Sequence, residues 1–256
     1  GRVIDLHNHL LPGVDDGSRT VKQSVRVLRA FAEQGVTAVC LTPHMLASRA
    51  AAGRPADHDL AFGALLAAAP TKPRLHRGAE IMLDRPLPDV VARQRSVTLN
   101  ETQYVLVEFT RMVTFQAAAA ALTHVVEIGL VPVLAHPERY ACCSPEVVRR
   151  WKAIGAVMQV DGSTLATTRG RGARARALVA DGLADILAGD NHGDDRTLAT
   201  ARTLLQEHEG ADQVRLLLDV NPAAILAGER LEVVPPLPIR TNILSRLRNL
   251  LTEDDQ

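Results

Sequence analysis

Short runs rich in β-branched residues alternate along this chain with longer Ala/Leu-rich stretches whose apolar positions recur at helical spacing. The runs predict strands at 3–6, 36–41, 74–78, 104–109, 131–135, 157–160 and 185–188. The stretches between them predict helices over 20–34, 57–69, 115–128, 145–154, 174–181 and 196–207. Thr20 reads as an N-cap, with Gln23 completing a capping box. Gly35, Gly129, Gly155 and Gly182 each follow a helix, where a left-handed C-cap favours glycine. Strand and helix in strict alternation argue for β/α units on a parallel sheet. A further short helix is expected after Asn221–Pro222. Residues 1–230 thus read as one barrel domain, and residues 231–256 as a proline-rich link (Pro235, Pro236, Pro238) and a last helix around 242–251. That helix would carry Ile243, Leu244, Leu247, Leu250 and Leu251 on one face beside Arg246 and Arg248, to pack on the barrel or to meet a partner or membrane.

The length of 256 residues fits one β/α barrel of ~250 residues. Apolar residues make up 46 % but aromatics only 3 %, so the core must come from Ala, Val and Leu. Basic and acidic side chains balance at 29 each, which lacks the basic footprint of a nucleic-acid binder. The three cysteines, two of them adjacent, make no disulfide framework and suit a reducing compartment. No signal segment and no apolar run of membrane-spanning length is seen, so a cytoplasmic protein is expected.

The polar residues fall at telling places. His7 and His9 follow the first predicted strand in Asp-Leu-His-Asn-His, His44 the second and Glu80 the third, Glu108 lies at the end of the fourth, His136 follows the fifth, and Asp190 and His192 follow the seventh. In a parallel barrel those C-terminal strand ends open onto one mouth. Residues two apart at a strand end point the same way, so a His-x-His pair can enter one coordination sphere. Buried ionisable groups in that setting are costly unless a cation compensates them. Imidazole mixed with carboxylate, without thiolate, suits Mn²⁺, Fe²⁺ or Zn²⁺, and Glu80 or Glu108 is placed to bridge two ions. Ions bridged at ~3.5–4 Å are the arrangement of many phosphoesterases. His58, His76, His124 and His208 lie in predicted helices or mid-strand and are read as structural.

The ordered set His-x-His, Asp-Gly, Thr-Pro-His, Gly-Ala-Glu, Glu-Phe, Ala-His-Pro-Glu-Arg and Gly-Asp-x-His resembles the polymerase-and-histidinol-phosphatase (PHP) superfamily, from about Ile4 to Pro222. Leu-Pro-Gly-Val-Asp-Asp-Gly-Ser and Ala-His-Pro-Glu-Arg-Tyr are similar to the bacterial manganese-dependent protein tyrosine phosphatases of capsule and exopolysaccharide clusters. The resemblance implies an α/β fold, a distorted (β/α)7 TIM-like barrel, with two or three divalent cations, Mn²⁺ first and Fe²⁺, Zn²⁺ or Mg²⁺ as alternatives. It implies one ion on His7, His9, Glu80 and Asp190, a second on Glu80, Glu108 and His136, and a third on Asp16, His44 and His192. Asp16, rather than Asp15, matches the residue directly before glycine. Arg139 and Arg196 match arginines expected to hold phosphate, a role suited to the planar guanidinium fork. The implied partner is a phosphotyrosine protein, a bacterial tyrosine autokinase, with the enzyme recruited by it to the inner face of the membrane; oligomers are open.

Three features depart from the pattern. Asp161 stands where a neutral polar residue is expected, either as an acceptor behind the ligands or as a change in the metal set. The stretch 167–176, with Arg169, Arg171, Arg174 and Arg176, is a candidate anion site, or simply a solvated loop and helix start. The third is the C-terminal helix. Cys143 and Arg149 fit Cys-x5-Arg, but the intervening Ser-Pro-Glu-Val-Val contains a carboxylate and no glycine, unlike a phosphate-wrapping loop. An amidohydrolase would use a carbamylated lysine at a strand end, and Lys22, Lys72 and Lys152 are not so placed. The rival enzyme reading is another phosphoesterase of the superfamily, acting on a small molecule such as histidinol phosphate.

Overall fold

In a computed structural model, residues 1–168 and 170–239 are described, so Arg169 and the proposed C-terminal helix lie outside the described residues. The strands are β1 (Val3–Asp5), β2 (Val36–Leu41), β3 (His44–Leu46), β4 (Arg74–Arg77), β5 (Glu80–Met82), β6 (Tyr104–Glu108), β7 (Val131–Ala135), β8 (Val157–Asp161) and β9 (Ile186–Ala188). Every ladder is parallel. They form two sheets, β1-β2-β4 and β3-β5-β6-β7-β8-β9.

The nine segments make seven staves. β2 is interrupted at Thr42–Pro43 before β3, and β4 at Gly78–Ala79 before β5. Pro43 has no amide to give a ladder. Its carbonyl still accepts from the Glu80 amide (3.0 Å), and Leu41 from Gly78 (2.9 Å), so the two interrupted staves stay in contact across the break. His44 and Glu80 therefore begin short upper strands, where the sequence pattern puts them just past strand ends. β1 and β9 share no ladder. They meet at the mouth, where the Asp190 amide donates to the His7 carbonyl (2.9 Å) and the His9 amide to the Asn191 carbonyl (2.7 Å).

The helices are α1 (Val21–Glu33), α2 (Ala47–Ala50), α3 (Ala56–Ala68), α4 (Val90–Gln94), α5 (Phe115–Glu127), α6 (Pro145–Ile154), α7 (Gly170–Ala180), α8 (Ala199–Glu207), α9 (Ala211–Arg215) and α10 (Asn221–Ala227). The Thr20 side chain caps α1 by accepting from the Gln23 amide. Gln23 reaches back to the Arg19 amide, one residue earlier than a standard capping box. Gly155 (φ 117°) closes α6 in the left-handed region, and the other three predicted C-cap glycines do likewise.

Two helix starts differ from expectation. α7 begins at Gly170, four residues before Arg174. α8 begins at Ala199, three after Arg196, because Asn191 ties up the intervening loop: its side-chain amide donates to the Asp194 and Arg196 carbonyls. The core is mostly Ala, Val and Leu with a few aromatics, of which Trp151 is fully buried between Phe115 and Tyr140, and Phe31, Tyr104 and Phe109 are also buried.

Residues 231–239 run without regular structure along the barrel. Asn221 holds Glu232 through two hydrogen bonds (2.8 and 2.9 Å), Gln213 donates to the Pro235 carbonyl (2.8 Å), and Val234 is buried. Among the described residues no helix is long and apolar enough to cross a membrane.

Candidate metal centre

The mouth of the barrel gathers all nine predicted ligands. His7, His9, Glu80, His136 and Asp190 are almost completely buried, Glu108 nearly so, His44 and His192 are half-buried, and Asp16 is exposed. Two of these residues sit in the left-handed region that non-glycine residues avoid, His136 (φ 36°) directly after β7 and Asp190 (φ 48°) two residues after β9. Such conformations cost ~1–3 kcal/mol each and persist where surrounding contacts impose them.

The ligand atoms fall into three overlapping groups, each within 4.8 Å: His7, His9, Glu80 and Asp190; His44, Glu80 and Glu108; and His9, Asp16, His44 and His192. The first repeats the expected set. In the second, His44 joins the two glutamates, while His136 Nε2 lies 2.9 Å from Glu80 and 3.6 Å from Glu108. In the third, His9 joins the expected residues. His44 faces both ways, with Nδ1 3.2 Å from Glu80 and Nε2 3.2 Å from Asp16. As a neutral imidazole it offers one lone pair, so it serves one group and donates to the other.

The polarity of the hydrogen bonds tests whether cations fit. His9 Nδ1 donates to Asp15 (2.8 Å), His192 Nδ1 to the Asp190 carbonyl (2.9 Å) and His7 Nδ1 to Gln159 Oε1 (2.7 Å). A donor at Nδ1 leaves the lone pair of a neutral imidazole at Nε2. Those Nε2 atoms lie 3.1–3.2 Å from carboxylate oxygens of Glu80 and Asp190 for His7 and His9, and 3.5 Å from Asp16 for His192. Lone pairs facing lone pairs repel unless a cation or a proton lies between them. Glu80 Oε2 and Asp190 Oδ1, both buried, accept no hydrogen bond. Orphaned acceptors converging with imidazole lone pairs fit divalent cations, and Nδ1 donors held by acceptors are the usual support of ligating histidines.

The same charges act on each other directly. Burial opposes a proton on His7, but Glu80 and Asp190 override it and push its pKa up to about 9. Burial would raise Glu80, yet His7, His136 and His9 hold it well below the usual carboxylate range. Asp190 is likewise held down by His7, His9 and Arg139 against the effect of burial.

Both predicted phosphate arginines reach the cluster. Arg139 donates to Asp161 (3.0 Å) and to Asp190, and its buried Nε has no hydrogen-bond partner. Arg196 lies 3.5 Å from the same Asp190 oxygen and pairs with Asp194 (2.8 Å). Glu138 and Asp195, the neighbours in sequence that could have neutralised them, are not their ion-pair partners. Asp161 acts as an acceptor: it holds Arg139 and Ser163 and belongs to none of the three groups.

Sequence reasoning missed Asp15 and Gln159. Asp15 accepts from the His9 ring, the His44 amide (3.1 Å) and the Gly17 amide (2.9 Å). The doubled aspartate before Gly17 was the available signal, a turn-former with one carboxylate for each job. Gln159 gave none, since an inward strand glutamine looks like any other. Gly17 is required by space: a Cβ there would stand 2.1 Å from the His9 carbonyl oxygen.

Three of the remaining histidines stay apart: His76 meets Asn100, His124 the Leu87 carbonyl and His208 the Leu204 carbonyl, whereas His58, at the start of α3, lines the cavity that also touches His44 and Glu108. Arg174 and Arg176 turn inward onto backbone carbonyls of Glu138, Tyr140 and Leu165, so they brace loops rather than form an anion site. Cys143 precedes α6, its thiol pushed up to about 12 by burial and by Glu138, while Arg149 pairs with Asp181. A thiol so disfavoured as thiolate is no nucleophile.

The family model for capsular polysaccharide synthesis, CpsB/CapC, matches residues 3–227. The tyrosine-protein phosphatase YwqE of Bacillus subtilis is 28 % identical over 250 residues, covering 93 % of this chain and 97 % of the relative. The tyrosine-protein phosphatase CpsB of Streptococcus pneumoniae is 24 % identical over 241 residues, covering 89 % and 99 %. A solved structure from work on those two proteins, described there as metal-dependent tyrosine phosphatases, superposes with a TM-score of 0.76 at 24 % identity, over 93 % of this chain and all of that one, and shows the same fold.

Proposed function

The chain belongs to the capsular polysaccharide synthesis family CpsB/CapC, and on that premise we propose that it is a metal-dependent protein tyrosine phosphatase. The observation that carries the reading is the pair of buried carboxylate oxygens, Glu80 Oε2 and Asp190 Oδ1, that accept no hydrogen bond where the Nε2 atoms of His7 and His9 converge on them, beside two arginines. His7, His9, Glu80 and Asp190 would hold one cation, Glu80 and Glu108 with His136 or His44 a second, and His9, Asp16, His44 and His192 a third. The imidazole–carboxylate set suits Mn²⁺, Fe²⁺ or Zn²⁺; Mn²⁺ is put first, and Mg²⁺ added as an alternative, on the resemblance to manganese-dependent phosphatases. When bound, the cations supply an activated water and neutralise charge on the phosphoryl group.

The chain's own residues do the rest. Gln159 and Asp15 fix the tautomers of His7 and His9 so that lone pairs face the centre. Arg139, anchored by Asp161 and Asp190, and Arg196, 3.5 Å from the same Asp190 oxygen, bring positive charge to the phosphoryl group. Tyrosine leaves with a parent pKa near ~10, milder than an alkoxide, so a strong general acid is unnecessary. The substrate is a phosphotyrosine protein, a bacterial tyrosine autokinase of polysaccharide export. The enzyme works in the cytoplasm, recruited by that partner to the inner face of the membrane. Residues 1–230 form the catalytic barrel, and residues 231–239 run along it.

Phosphotyrosine peptide, phosphoserine peptide and histidinol phosphate, each offered with Mn²⁺ and with chelator, test this. Manganese-dependent cleavage preferring phosphotyrosine is expected. Preference for histidinol phosphate would replace the substrate assignment, and no cleavage of any of them with metal bound would overturn the enzyme.

A further inference from the structure

A groove of about 690 Å³ opens directly off the ligand cluster. His44 and Glu108 belong to both, and from them the groove runs along β3 and α2 to the turn before α3. That volume lies in the range that encloses an organic ligand, roughly 300–1,000 Å³, and exceeds what a phosphoryl group alone requires. Met45, Leu46 and Met82 line it with apolar surface, and Leu46 is 43 % exposed despite its size. Arg49 and Arg54 also line it. Apart from Glu108, which belongs to the cluster, the lining contains no carboxylate. The Arg54 side chain donates to the Ser96 carbonyl (3.1 Å) and lies 3.7 Å from Asp59, so part of its charge is answered. Arg49 is exposed and makes no side-chain hydrogen bond or ion pair among the described residues.

Apolar surface next to a phosphate-handling centre suits an aromatic ring, and an unanswered cation at its side suits a negative neighbour. Resting on the tyrosine phosphatase reading, we infer that this groove is the peptide-binding cleft of the enzyme: Met45 and Met82 take the tyrosyl ring, and Arg49 selects substrates with an acidic residue flanking the phosphotyrosine. Serine offers no ring to that surface, and a small monoester leaves Arg49 unused. Continuity of the groove with the cluster at His44 and Glu108 places the occupant, and the missing negative charge in its lining sets the occupant's sign.

Three phosphotyrosine peptides test it, identical except that glutamate, serine or lysine flanks the phosphotyrosine, with kcat/KM measured in Mn²⁺. The ratio between the glutamate and lysine peptides is expected near fivefold or above, about the ~1 kcal/mol upper end of an exposed ion pair. Arg49→Lys should keep the ratio, and Arg49→Glu should erase or invert it. A second readout needs no turnover. The same peptides carrying a non-hydrolysable phosphonodifluoromethyl-phenylalanine should bind the chelated wild-type protein in the same order, measured by fluorescence anisotropy. Equal kcat/KM for all three peptides in the wild type, or an unchanged ratio in Arg49→Glu, overturns the assignment. If the wild type cleaves none of them in Mn²⁺, the phosphatase reading fails, and the anisotropy order alone then supports or refutes the groove.

Discussion

Replacing Asp15 with alanine removes one carboxylate that touches no proposed cation and still governs two of the three groups. Its Oδ2 accepts from the His9 ring at 2.8 Å and the His44 amide at 3.1 Å, and its Oδ1 from the Gly17 amide at 2.9 Å. His9 is fully buried, so its Nδ1–H would be left unsatisfied, at a cost of ~1–3 kcal/mol. Without that acceptor the neutral ring is free to carry its proton on Nε2, where it would block coordination. Loss of such an outer partner weakens metal binding by typically ~10–100-fold, or ~1.4–2.7 kcal/mol. Because His9 belongs to both the His7/Glu80/Asp190 group and the Asp16/His44/His192 group, two binding events should weaken together. Asp15→Asn keeps an acceptor and loses the charge, so it should fall near the lower end. Calorimetric titration of chelated protein with Mn²⁺ reads this, with circular dichroism confirming an intact fold. A Kd for Asp15→Ala within about twofold of wild type at both sites would refute the orientation argument.

Arg139→Ala should retain Mn²⁺ yet lose ~10²–10³-fold in turnover, as for other removed transition-state donors; unchanged kcat removes Arg139 from the mechanism. Gly17→Ala drives a Cβ to 2.4 Å from the His9 Cβ, and should cost about 3 kcal/mol in urea unfolding of chelated protein. The metal-free protein should be most stable in mildly acid solution. The low pKa values of Glu80 and Asp190 give stability that is present above the carboxylate range and lost on acidification. His7, held up to about 9, and Glu138, pushed up to about 8 by burial and Asp161, give stability that is complete below 6.5 and 4.5 respectively and lost as pH rises through 8–9. Chelated protein should therefore melt lower at pH 8.5 than at pH 6, and Mn²⁺ should reverse the trend by favouring deprotonated ligands; parallel slopes with and without metal would contradict this.

Periodicity alone located all seven staves and the six long helices, because core burial imposes a period of two or 3.6 on whichever residues fill it. Position after apolar runs also located eight of the nine candidate ligands, since ionisable groups there are conspicuous wherever they occur, whereas Asp16 came only from the family resemblance. The breaks at Pro43 and Gly78 were visible as residues but not as breaks, and the short helices α2 and α4 were too brief to show a period. The order of the ligands around the centre was decided only in three dimensions. Whether His44 belongs with Asp16 or with the glutamates depends on distances between staves that local spacing does not encode. The same holds for Gln159, 152 positions from the ring it orients, and for the groove, whose walls come from β3, α2, α3, β5 and β6. Chain pattern determines which side chains face inward or reach the mouth. Which partners they meet there is a long-range property of the two sheets together, set by register and packing between segments far apart in sequence.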